Sequence, residues 1–302
     1  MLLFSPLITI LIVILLGMFC YKKEIFNKMQ IDGFEILLFK VTMPCFLFAA
    51  TYKNDLSTLL KMEYIAAYLL TFGVLALIVT VLFIKNLSTV AICMRILAAS
   101  YVNAAIYTLP VINILLKDPT AAIIGNIIQV IIIQPIFIIL LNTIKHKEKS
   151  LIKKIVSVIT TPLIIMPIIG MLLNHLKVAL PIPIVNAISQ VGSGASGLAL
   201  FAFGLTLGAT KITAQSLKFD LLSLVLIKSL IHPLVAICIA YFMNLETYWF
   251  NSLVIAASAP TAFVVYLISK QFSTEEELVK KVVALSSVIA TISLLLITMI
   301  IG

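Results

Sequence analysis

The chain has 302 residues, of which 62% are hydrophobic and 11% charged, and its formal net charge is +9. That balance excludes a soluble globular domain of this size. Continuous apolar runs of about 20 residues also exclude a membrane β-barrel, whose strands are short and alternating, so the fold class is an all-α integral membrane protein.

The opening MLLFSPLITILIVILLGMFCYKK has no basic stretch before its apolar run and no small-residue cleavage signature, so it reads as a retained first span. Apolar runs between charged or Pro/Gly breaks predict ten spans, at about 5–21, 31–51, 62–84, 88–116, 120–144, 155–174, 184–209, 219–243, 249–269 and 277–301. The fourth and seventh are long, which allows tilt or interruption. Cys20, Cys45, Cys93 and Cys238 are scattered among the spans with no CxxC pair, and read as small buried hydrophobes; neither a metal site nor a cofactor is expected.

Lysines set the orientation. Fourteen follow odd-numbered spans and four follow even-numbered ones, which places both termini on the non-cytoplasmic side of a cell's inner (plasma) membrane. KHKEKSLIKK, 145–154, is then a short basic cytoplasmic linker. The net positive charge is an orientation signal, and no soluble basic surface is available for nucleic acid.

An internal echo divides the chain. Gly17-Met18 recurs as Gly170-Met171, Leu47-Phe48-Ala49 as Leu200-Phe201-Ala202, and Ala98-Ala99-Ser100 as Ala256-Ala257-Ser258. The near-constant offset lays spans one, two and four over spans six, seven and nine. Two repeats result, 1–144 and 155–302, each of five spans; because five is odd, the second is inverted in the membrane, as in secondary transporters.

The fourth and ninth spans carry AASYVNAAIYTLP (98–110) and AASAPTAFVVYLI (256–268). Proline removes a backbone N–H and displaces the carbonyl one turn earlier, so both helices are expected to unwind near Pro110 and Pro260. Unpaired peptide groups in hydrocarbon cost several kcal/mol each unless a partner or a water-filled cavity satisfies them. Two such breaks meeting at the midplane form a substrate site. Half-helix N-termini attract an anion there, with Ser100, Asn103, Thr108, Ser258 and Thr261 as neutral donors. Ordinary proline kinks with locally bonded hydroxyls are the alternative reading.

These residues resemble the auxin efflux carrier family, which includes plant PIN carriers and bacterial malonate and malate transporters. Asn103 and Pro110 are similar to its Asn-x6-Pro pattern, Ser258-Ala259-Pro260-Thr261 to its ninth-helix break, ISQVGSGASGLALFAFGLTLGA (188–209) to its glycine-rich seventh helix, and KSLIHP (228–233) to its Lys-x4-Pro. The sequence departs from the family at Ala105 and Thr108, where glycines are usual, and at Gly197, where proline is usual. The resemblance implies a scaffold of helices 1, 2, 6 and 7 and a mobile transport domain of helices 3–5 and 8–10. Substrate would sit at the crossing of helices 4 and 9, and an elevator movement would alternate its access.

Of the charges within spans, Lys40 and Arg95 are expected to snorkel toward headgroups. Lys228, one turn from His232, is a candidate charge-coupling group that either attracts the anion or stands in for a cation; His232 alone reads as a satisfied buried histidine. No acid occupies the expected crossing, so proton and sodium coupling both stay open. Ser273 with Glu276 reads as a capping box. His146, His175 and His232 lie in no hydrolase motif, so an enzyme is not expected.

The expected function is a secondary active transporter of small organic anions such as carboxylates. The alternative is an anion channel or uniporter lined by the same broken helices. Its partners are the organic anion and the lipid bilayer, with a homodimer left open.

Overall fold

In the computed structural model, residues 4–53, 61–144, 162–209 and 219–301 are described, and all their regular elements are helical. In chain order they are α1 (Phe4–Lys22), α2 (Lys28–Lys53), α3 (Met62–Phe83), α4 (Thr89–Ser100), α5 (Ala104–Leu116) and α6 (Thr120–Ile144), followed by α7 (Pro162–His175), α8 (Ile182–Ala209), α9 (Phe219–Phe242), α10 (Thr247–Ser258), α11 (Phe263–Gln271) and α12 (Glu276–Ile301). Five of them, α2, α3, α6, α8 and α9, are long and apolar enough to cross a membrane. The basic linker 145–154 lies outside the described residues.

α3 shows why the solvent must be lipid. It buries Tyr64, Ala67, Thr71, Leu75 and Val79, a stripe at helical spacing, but its opposite face exposes Leu70, Leu77 and Val81. A helix in water would carry polar groups there, and only hydrocarbon leaves both faces apolar.

Two packing sets organise the helices. α1 lies along α8 and α7 along α2, while α3 packs on α4 and α9, α9 on α10, and α11 on α12. Close approach in the first set depends on glycine. A Cβ on Gly17 would run into the carbonyl of Phe201, and one on Gly204 into the carbonyl of Ile14. Gly170 meets Thr51 and the carbonyl of Phe48 in the same way. The contacts are reciprocal: Gly17 touches Phe201, and their sequence counterparts Gly170 and Phe48 touch each other.

Four prolines inside helices share one accommodation. Pro44, Pro110, Pro135 and Pro233 each sit two residues after a π-helical turn, at Leu38–Thr42, Ala104–Thr108, Ile128–Ile133 and Ile227–Ile231. The wider turn moves aside the carbonyl against which the ring would clash. This corrects the expectation for Pro110. The helix is interrupted seven residues earlier, at Tyr101–Asn103, and runs on through the proline to Leu116. Pro260, by contrast, lies inside its break, between α10 and α11.

Two further expectations are corrected. Arg95 is 3% exposed and donates to Asp220 at 2.8 Å and Glu275 at 3.2 Å, over the ring of Phe83, and so does not snorkel to headgroups. Acids distant in sequence draw the guanidinium inward. Ser273 is no cap, because α12 starts only at Glu276 and Ser273 has a left-handed φ of 47°. Lys40 is exposed, as snorkelling requires.

Candidate functional site

The chain crosses itself where two helices are interrupted. α4 stops at Ser100 and α10 at Ser258; the segments that follow are extended and pair antiparallel, Val102 opposite Thr261. Asn103 N–H donates to Pro260 O at 2.8 Å and Ala262 N–H donates to Tyr101 O at 3.2 Å. Here lies the answer to the cost of breaking helices in hydrocarbon: each break satisfies the other, leaving few peptide groups unpaired.

The crossing sorts the dipoles. α5 and α11 begin beside a cavity of ≈940 Å³ lined by Asn103, Ala105, Ile106, Thr261, Ala262, Phe263 and Val264, so the positive end of each helix dipole borders it, although in α5 Ala104 N–H donates to Val102 O and Ile106 N–H to Asn103 Oδ1. Its far wall is Phe203, Leu205 and Thr206 of α8, and its mouth carries Lys22, Glu24, Lys28, Asp32 and Glu35. With three carboxylates against two lysines, the mouth is no cationic funnel.

Amides that the sequence reading passed over line part of the cavity. Gln129 of α6 accepts from Val102 N–H at 2.7 Å through Oε1, while its Nε2, buried, has no partner among the described residues. Tyr101 Oη donates to Gln134 Oε1 at 3.0 Å, and Asn126 completes this polar wall of the cavity. The signal was available: Asn126, Gln129, Gln134 and Asn142 are four amides in a largely apolar span. Asn103 caps the π-turn, its Oδ1 accepting from Ile106 N–H at 3.2 Å.

The expected hydroxyl donors are otherwise engaged. Ser100 donates to Ile96 O at 2.6 Å, Ser258 to Val254 O at 2.8 Å, Thr108 to Asn103 O at 3.2 Å and Thr261 to Ala98 O at 2.6 Å. Of the expected site residues, Asn103 and Thr261 line the cavity; Ser100, Thr108, Pro110, Ser258 and Pro260 do not. Ser100 instead borders a small void on the other side of the crossing, with His232, Val102 and Ala257. Lys228, 1% exposed, reaches His232 Nδ1 at 2.9 Å and Ala257 O at 3.2 Å.

Residues 2–298 match a family described as membrane transport protein. The chain belongs to this membrane transport protein family, which is the auxin-efflux-carrier-like family its motifs resemble. Within the family it is similar to an uncharacterized transporter, YfdV, of Escherichia coli strain K12, with 25% identity over 285 residues, covering 89% of this chain and 88% of that one. The YfdV proteins of Escherichia coli O157:H7 and Shigella flexneri match to the same extent. Membership in this transport family accounts for the apolar outer faces and for a cavity among the helices with amides on its wall.

Proposed function

We propose that this protein is a secondary carrier of small organic anions, carboxylates among them, built as two inverted five-span repeats of which residues 1–144 and 155–302 are the halves. The observation that carries this reading is the antiparallel crossing. Two half-helices begin at one cavity, and a carboxylate bound at the crossing meets their N-terminal ends and the unpartnered Gln129 amide nitrogen, with the lysines confined to the mouth. Reciprocity supports the repeat. Gly17 with Phe201 and Gly170 with Phe48 exchange under the offset of the sequence echo, and the crossing joins the segments that follow the two echoed Ala-Ala-Ser stretches.

Alternating access follows from the two packing sets. α1, α2, α7 and α8 form the scaffold, and the remaining helices carry the crossing past the glycine-rich face of α8. Lys228 donates to the Ala257 carbonyl at the C-terminal end of α10, where the helix dipole places partial negative charge. The test is uptake of radiolabelled mono- and dicarboxylates by proteoliposomes. A carrier saturates and shows counterflow; currents far above conformational turnover, without counterflow, establish a channel instead.

A further inference from the structure

Two basic side chains lie in contact inside the membrane with no acid beside them. Lys228 Nζ is 2.9 Å from His232 Nδ1, and both residues are buried, at 1% and 5% exposed. Among the described residues no carboxylate pairs with either. The packed elements around them offer little charge. α3 brings the phenols Tyr64 and Tyr68, and α10 the phenol Tyr248 and the Ala257 carbonyl. α4 brings Cys93 and Arg95, the latter held by Asp220 of α9 and by Glu275. On α12, the charges are Glu276, Glu277, Lys280 and Lys281, all within its first six residues.

Two full positive charges about 3 Å apart in a medium of low dielectric repel by several kcal/mol. The pair therefore takes up one positive charge and titrates as a unit. Its surroundings suit one. α4 and α10 both end here, at Ser100 and Ser258, so the partial negative charge of two helix C-termini is focused on the pair. A void of ≈10 Å³ lies between His232, Ser100, Tyr68 and Thr71, room for about one water beside the imidazole.

Resting on the carrier reading above, we propose that Lys228 and His232 together form the proton-binding site of this transporter, so that one proton crosses with each anion. On loading, a proton from water forms an N–H bond with the lone pair that the neutral pair presents; on release the same N–H bond breaks and the proton returns to water. The anion sits at the N-terminal side of the crossing and the proton at the C-terminal side of the same crossing. A singly charged anion and its proton then add no net charge to a body that must pass through hydrocarbon.

The experiment uses the full chain in proteoliposomes, potential clamped at zero with valinomycin and equal potassium, pH one unit lower outside, and the same panel of radiolabelled mono- and dicarboxylates. One pH unit acting on one proton sustains about tenfold accumulation of the transported anion above protein-free liposomes. In His232→Gln, whose amide still accepts from Lys228 but does not titrate, the accumulation ratio falls to about one. Lys228→Gln gives the same loss if it folds; if it does not, His232→Gln decides alone. Wild-type counterflow that ignores the pH gradient, or a His232→Gln protein that accumulates as the wild type does, overturns the proton site and leaves the carrier reading intact. Absence of wild-type counterflow with every compound overturns both.

Discussion

At the scale of single residues, chemistry here is decided by which partner each polar atom already has. Ser100, Thr108, Ser258 and Thr261 are the right residue types for a neutral anion site, yet each hydroxyl donates to a backbone carbonyl. Composition reveals a hydroxyl in a span but not its rotamer, and in hydrocarbon the nearest carbonyl wins. Gln129 is the inverse case, one amide oxygen engaged and one amide nitrogen left over. Gln129→Leu removes the acceptor of Val102 N–H and the free donor together, and is expected to cut uptake about tenfold or more; Gln129→Glu, which keeps the acceptor and adds a negative charge, should fare no better with an anion. Initial rates in proteoliposomes, normalised to reconstituted protein, check both. Arg95 makes a separate prediction. Both acids are met by Nη2, at the tip of a guanidinium that lies over the Phe83 ring; a lysine is shorter and lacks the planar face, so Arg95→Lys should lose about 1.5–3 kcal/mol, read as a lowered midpoint in thermal unfolding of the detergent-solubilised protein.

Among the helices, the breaks were legible while their positions were only half so. The repeated Ala-Ala-Ser followed by proline located both interruptions, and Pro260 lies within its own. Pro110 does not, because the π-turn at Ala104–Thr108 absorbs the ring and lets α5 continue. Nothing in a one-letter string distinguishes a proline that ends a helix from one that follows a wide turn. The difference is testable. Pro260→Ala restores a donor N–H inside the crossing and should lower transport about tenfold or more, whereas Pro110→Ala, set in a continuous helix, should change it by less than about threefold. Equal losses would show that both prolines define the site. The scaffold helices make their own prediction: Gly204→Val places side-chain carbons against the Ile14 carbonyl and should destabilise the α1–α8 contact by about 1–3 kcal/mol or more, seen as lost monodispersity on size-exclusion chromatography.

For the molecule as a whole, membership in a transport family was readable because it rests on motifs spread over nearly the entire length, whereas the enclosure of the cavity arises from contacts between α5 and α8 that no local pattern encodes. Those contacts are where movement must occur if the crossing is carried past a fixed scaffold. Tyr107 of α5 packs edge-on against Phe203 of α8, ring centroids 5.2 Å apart, and Asn113 Nδ2 donates to Ser196 Oγ at 3.3 Å. Asn113 and Ser196 meet at their tips, so a cysteine at each position, in a chain whose four native cysteines are replaced by alanine, gives a pair that mercury bridges. Bridging pins α5 to α8. If transport requires the crossing to travel along α8, the bridged protein loses more than about 90% of uptake and recovers it on addition of excess thiol, while either single-cysteine protein is insensitive to mercury. A bridged protein that transports at the unbridged rate would show that α5 and α8 move as one, and the sliding surface would have to be sought elsewhere. The same material tests orientation. Val130, in the cavity wall, replaced by cysteine should react with a membrane-impermeant maleimide from the side of the mouth that bears Lys22 and Lys28, which the lysine distribution predicts to be cytoplasmic, and bridging Asn113→Cys to Ser196→Cys should hold that reactivity constant even when substrate is added.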